Sequence, residues 1–212
     1  MWRLCPLALA LFCAHAAAEP LLLQATLGTL ESPDRICPKA FASRCSGLRQ
    51  ASRSPKMRAQ TEGREGDAAE LDFVYLGPTE EVAPLASGER RRQLGLKLRA
   101  RDGCNVLYVM WRIEPEPDLV VSRKANPGME RHAECGTRGY RTLRPATYTP
   151  PPPLVVGARH RLRARVEEKR LRVWIDGALV WEGELDEAAA RMRGPVGVRS
   201  DNVAFAFTLG TP

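Results

Sequence analysis

Two tryptophans and an arginine close together in the last fifty residues have the chemistry to grip a ligand. Arg172 and Trp174 alternate along Arg170-Leu171-Arg172-Val173-Trp174-Ile175, and Trp181 follows in Ala178-Leu179-Val180-Trp181-Glu182. An indole presents a flat apolar face to a sugar ring, and a guanidinium holds acidic groups in a planar fork. Asp176-Gly177 joins the two stretches, and such a pair between alternating runs predicts a hairpin because both turn residues take positive φ. In a two-residue turn Ile175 lies opposite Ala178, Trp174 opposite Leu179, Val173 opposite Val180 and Arg172 opposite Trp181. That register places Arg172, Trp174, Leu179 and Trp181 on one face, leaving Leu171, Val173, Ile175, Ala178 and Val180 for the core. Tyr108 and Arg112 share a face of the apolar run at residues 104–113 and would extend the same surface. The candidate ligand-binding residues are therefore Arg172, Trp174, Trp181, Tyr108 and Arg112.

Other reactive residue types are sparser. Glu70 and Asp72 alternate along Glu70-Leu71-Asp72-Phe73-Val74-Tyr75-Leu76, so a strand aims both carboxylates at one side. His132 and Glu134 lie beside Cys135, but a nucleophilic cysteine needs a free thiol. The run Glu62, Glu65, Asp67, Glu70 and Asp72 offers oxygens that calcium prefers, in a spacing that fits no defined loop. No other cofactor is implied. There is no nucleophile elbow, no phosphate-cradling glycine loop and no nucleic-acid-binding motif.

The elements that must carry these residues read as strands. Residues 70–76, 93–101, 104–113, 119–122, 161–166, 170–175, 178–182 and 203–207 alternate or run apolar, and Gly, Pro and Asp-Gly pairs separate them. Residues 21–30 and 56–60 read as further strands, 33–55 as an irregular cysteine-containing loop, and 186–193 as a short helix. About ten strands with almost no helix predict an all-β fold, an antiparallel β-sandwich or jelly roll.

The hairpin at 171–182 and the closing Gly194-Pro195-Val196-Gly197-Val198-Arg199-Ser200-Asp201-Asn202-Val203-Ala204-Phe205-Ala206-Phe207 resemble the end of concanavalin A-like (laminin-G-like) jelly rolls. The motif likeness covers some 40 residues, the strand order most of the chain. That superfamily holds lectins, carbohydrate-binding modules, glucanases and adhesion domains, so the resemblance implies fold before function. The stretch Glu70-Leu71-Asp72-Phe73-Val74-Tyr75-Leu76-Gly77 is also similar to the active strand of family 16 glycoside hydrolases. The resemblance would make Glu70 the nucleophile and Asp72 its supporting aspartate. Retaining hydrolysis needs a second carboxyl group about 5–5.5 Å away as acid/base, and Val74 stands where that group belongs. The strand therefore implies a degenerate site.

Bulk properties set the compartment. Arg3, the apolar residues 7–12 and Ala16-Ala17-Ala18 read as a signal peptide over residues 1–18, leaving one domain at 19–212. The bulky Phe12 speaks against a lipid-modified Cys13. No later apolar run reaches the ~18 residues of a membrane span. Four cysteines remain, and an even count in an exported chain predicts disulfides. Three connectivities exist. Cys37–Cys45, closing a short loop, and Cys104–Cys135 are favoured, since Cys-x7-Cys and Cys-x30-Cys match no usual zinc pattern. Arginine makes up 27 of the 32 basic residues, and the net charge falls from +7 to +6 without Arg3. The combined expectation is a secreted or periplasmic, non-catalytic, lectin-like module for glycans, including acidic ones. The alternatives are a glycosidase-like enzyme using Glu70 and Asp72, and an accessory domain that binds another exported protein. Oligomeric state is not encoded legibly.

Overall fold

The computed structural model describes residues 19–63 and 65–212; the expected signal peptide lies outside them. Alternation along the chain becomes fifteen strands. In chain order these are β1 (Glu19–Pro20), β2 (Gln24–Leu27), β3 (Gln50–Ser52), β4 (Lys56–Gln60), β5 (Ala68–Pro78), β6 (Arg92–Leu98), β7 (Val106–Glu114) and β8 (Asp118–Lys124), followed by β9 (Tyr140–Thr142), β10 (Thr147–Tyr148), β11 (Arg159–Glu167), β12 (Arg170–Ile175), β13 (Ala178–Glu184), β14 (Gly197–Asp201) and β15 (Val203–Thr211). One sheet runs β1–β15–β5–β11–β12–β13–β10, with β3 also paired to β15. The other runs β2–β4–β14–β6–β7–β8–β9. All pairs are antiparallel, as the sequence predicts for a β-sandwich.

The central strands bury their alternate residues between the layers. Leu71 and Phe73 of β5, Leu162 and Ala164 of β11, and Phe205 and Phe207 of β15 meet Leu94 and Leu96 of β6 and Val109 and Trp111 of β7. Phe73 packs edge-on against Trp111 across the sheets, ring centroids 5.9 Å apart. Burying one such side chain stabilises the fold by roughly 1.5–3 kcal/mol, and the whole alternating set contributes together. The single core follows from the sequence's period of two.

The connections differ from the sequence reading where local chemistry intervenes. Residues 21–30 do not make one strand: β1 joins the first sheet and β2 the second. Asp102-Gly103 is not a two-residue hairpin turn. Arg99 takes φ +49°, and the Asp102 carboxylate accepts the Cys104 and Asn105 amides at 2.7 and 2.8 Å, so the loop is wider. The irregular segment at 33–55 contains α1 (Pro33–Ile36), α2 (Ala42–Cys45) and β3. Two further helical turns are α3 (His132–Cys135) and α4 (Glu187–Arg191). Asp186 caps α4 by accepting the Ala189 amide at 3.0 Å. Both disulfides form as expected, Cys37–Cys45 and Cys104–Cys135, so none of these four sulfurs is a free thiol or a zinc ligand.

The Asp176-Gly177 turn is present, with φ +51° and +86°. Its two strands then fall out of the expected register. Trp174 lies opposite Leu179, but Val173 lies opposite Trp181 and Arg172 opposite Glu182. A β-bulge at Val180 inserts one residue, and a one-residue shift reverses every side chain beyond it.

Candidate ligand face

The bulge corrects the expected site directly. Trp181 turns inward and is 1 % exposed in the core, so it cannot stack on a ligand. Trp174 stays on the outer face of the first sheet, half-buried, with the Arg163 guanidinium 5.2 Å from its ring centre. Arg172 is tied to Glu182 and, at 3.0 Å, to Glu167. Tyr108 and Arg112 belong to β7, in the opposite sheet. The five residues therefore occupy three separate places. Tyr108 is itself buried, against expectation, with Tyr140 stacked 6.2 Å from it.

Beside Trp174 runs a groove of about 550 Å³ that includes Glu70, Asp72, Arg159 and Arg161. Its carboxylates are engaged. Arg159 grips Asp72 with two bonds of 2.7 and 2.9 Å, and Arg161 lies 3.2 Å from Glu70. Val74, the third position on this side of β5, is fully buried beneath Cys45 and Leu48 of the disulfide-bearing segment at 33–55. Among the described residues no group of three or more His, Cys, Asp or Glu is placed to hold a metal ion. Within the acidic run, Asp67 pairs with Arg99.

The outer face of the second sheet differs in kind. Strand register places Arg58 of β4 beside Arg199 of β14, and Arg199 beside Gly95 of β6. One step along, Gly197 separates Gln60 from Lys97, and Lys97 faces Tyr108. Gly95 and Gly197 can be nothing larger: an added Cβ would lie 2.0 Å from the Val109 carbonyl oxygen and 2.2 Å from that of Ala59. The sheet thus keeps two bare positions beside Arg199 and Lys97. At the far edge Lys124, almost fully buried, donates to the Gly103 carbonyl at 3.1 Å and contacts His132 Nδ1 at 3.2 Å, while its ammonium lies 5.3 Å from the Tyr140 ring centre.

Asp201, fully buried, is the central carboxylate of this cluster. It accepts Arg58 at 2.6 Å, Arg199 Nε at 2.9 Å and Gln93 at 2.8 Å. Burial alone would raise its pKa, but Arg199 and Arg58 hold it below the usual carboxylate range. One charge cannot balance Arg58, Lys97 and Arg199, whereas Lys124 has the Asp102 carboxylate nearby. Among the described residues Lys97 has only the Gln60 amide oxygen, at 2.9 Å, and burial, with Arg58 and Arg199 nearby, lowers its pKa to about 8. Burial pushes Tyr108 up to about 12, so it stays a neutral phenol. Burial, with Lys124 and Arg199 close by, lowers His132, which keeps it neutral and able to accept from Lys124. Arg199 lies over the Tyr108 ring at 4.8 Å. Among the described residues its terminal nitrogens meet no acceptor, yet they are not sealed from solvent.

Sequence reasoning found Tyr108 and Arg112 on this face and missed Arg58, Lys97, Lys124, Tyr140 and Arg199. Each of the missed strand residues sits at a polar position of an alternating strand, which reads as a solvated exterior. Only the register of distant segments shows that they converge.

No family model matches the chain, and no curated protein matches it. Solved structures do. The carbohydrate-binding module CBM66 from Bacillus subtilis superposes over 92 % of this chain and 99 % of its own, with 13 % identity and a TM-score of 0.58. The fold is a jelly-roll β-sandwich. Domain 4 of AbnA, an extracellular arabinanase from Geobacillus stearothermophilus, in complex with arabinotriose, covers 89 % of this chain and 82 % of its own at 10 % identity and a TM-score of 0.46. A tetrameric galectin from the ball sponge Cinachyrella sp. covers 74 % and 99 % at 12 % identity and a TM-score of 0.44.

Proposed function

We propose that this protein is an exported, non-catalytic, lectin-like module that binds acidic polysaccharide on the outer face of the β2–β9 sheet. The observation that carries the reading is the charge imbalance there: Arg58, Lys97 and Arg199 lie close together with the single carboxylate of Asp201, which pairs with the two arginines and leaves Lys97 without a counter-charge. Desolvated cations without counter-charges are costly to hold, and an acidic ligand relieves that cost. Exposed Tyr140, stacked on buried Tyr108, adds an aromatic edge suited to a sugar ring. The Bacillus subtilis domain of the same fold is a carbohydrate-binding module, which supports taking the ligand to be a glycan. The engagement of Glu70 and Asp72 by Arg161 and Arg159 supports the absence of catalysis. Two disulfides support an oxidising compartment.

Affinity electrophoresis in gels containing pectate, alginate or neutral glucan tests the reading. The wild type should be retarded by the acidic polymers at low salt and released as salt rises. Arg199→Gln should cut retardation at least tenfold, and Trp174→Ala should leave it unchanged. Free migration of the wild type through every acidic gel would refute the proposal, and capture of another exported protein would favour an accessory role.

A further inference from the structure

Within that face one position has a sharper specification than positive charge. We infer that Lys97, Arg199 and Arg58, around the bare floor at Gly95 and Gly197, form a seat for a single oxyanion, the carboxylate or sulfate of one acidic sugar. The inference rests on the reading of this face as the ligand surface. Three observations define the seat. The Arg199 terminal nitrogens have no acceptor among the described residues and reach solvent, which leaves a planar fork for a two-point contact. The Lys97 ammonium makes one hydrogen bond, to Gln60, and has two protons to give. Gly95 and Gly197 carry no side chain to intrude beside Arg199 and Lys97, and the backbone packed against them admits none. Arg58 is committed to Asp201 and to the Ser200 and Met57 carbonyls, so it contributes field rather than a contact.

Occupation of the seat would change the charge of Lys97. Facing Lys97 are Gln60, Arg58 and Lys56 from β4, Arg199 and Asp201 from β14, and Tyr108 from β7, with Tyr140 of β9 behind Tyr108. Lys124 and His132 lie on the far side of that tyrosine pair. The arginines stay charged, Asp201 stays ionised, Tyr108 is pushed up to about 12, and His132 is held neutral. The Lys97 ammonium is about half charged at pH 8 because burial and two arginines oppose its proton. An anion beside it restores the proton. Binding at pH 8 should therefore take up about half a proton, and affinity should fall about tenfold between pH 7 and pH 9.

Calorimetric titration tests this with trigalacturonate and, separately, inorganic sulfate, each in Tris and in triethanolamine chloride at pH 8. Expected is proton uptake on binding, its loss in Lys97→Met, and a further fall in affinity in Arg199→Gln. Near-UV circular dichroism checks that both variants fold, and uptake by the wild type needs neither. Trigalacturonate bound without uptake, or with uptake that persists in Lys97→Met, would overturn the seat while leaving the glycan reading in place. Sulfate bound with uptake, when no acidic oligosaccharide or polymer binds, would keep the seat and remove the glycan reading. Failure of both probes to bind would overturn the seat.

Discussion

The two outer faces of this sandwich carry similar numbers of basic side chains and handle them in opposite ways. On the first sheet, Arg159, Arg161, Arg165 and Arg172 each meet a carboxylate, and Arg163 lies on Trp174. These groups are largely exposed, so each pair contributes little, about 0–1 kcal/mol. On the second sheet Lys97, Lys124 and Arg199 are buried and Arg58 half-buried, and only the two arginines share Asp201. Basic residues on a strand are thus uninformative by count. What makes one face a candidate site is missing counter-charge under desolvation, and the pairs on the other face make it inert.

The largest expected effect attacks the shared carboxylate. Asp201→Asn leaves Arg58 and Arg199 without their anion, and should cost about 3–5 kcal/mol in urea unfolding. A loss below about 1 kcal/mol would show the second face to be as solvated as the first, and the contrast would collapse. The next effect is in pH. Because the folded pKa of Lys97 lies below that of the unfolded chain, the unfolded state holds the extra proton between about 8 and 10.5. The penalty for charging Lys97 is fully present below pH 8 and relieved above it. Its contribution to stability should rise by about 2 kcal/mol from pH 7 to pH 9.5, and Lys97→Met should abolish that rise. A rise of equal size in the variant would remove Lys97 as its source. The smallest effect belongs to the first face. Asp72→Asn breaks the pair with Arg159 and should cost less than about 1 kcal/mol, with pectate retardation unchanged. A large change in retardation would move the ligand site to the Trp174 groove.

The strands, the two sheets' single core and both disulfides were legible because they depend on local signals: a period of two, a turn pair, an even cysteine count. The site was not. Trp181 left its expected face through one extra residue at Val180, which nothing in Ala178-Leu179-Val180-Trp181 announces. The cationic cluster depends on pairing segments as far apart as Arg58 and Arg199, which no window along the chain contains. Close backbone approach requires Gly95 and Gly197, a constraint set by strand pairing rather than by the residues beside them in sequence. The segment at 33–55, read as an irregular loop, packs on Val74 and Ala206 and closes part of the first face.

That covering segment makes the molecule one-sided. With part of the first face roofed and its charges paired, each copy has one cationic surface for a polymer, the proposed ligand face, so each copy would hold one strand at a time. Mixed with a dilute polyanion, it should coat the fibres without knitting them into a gel. Any thickening of such a mixture would report that two copies had come together.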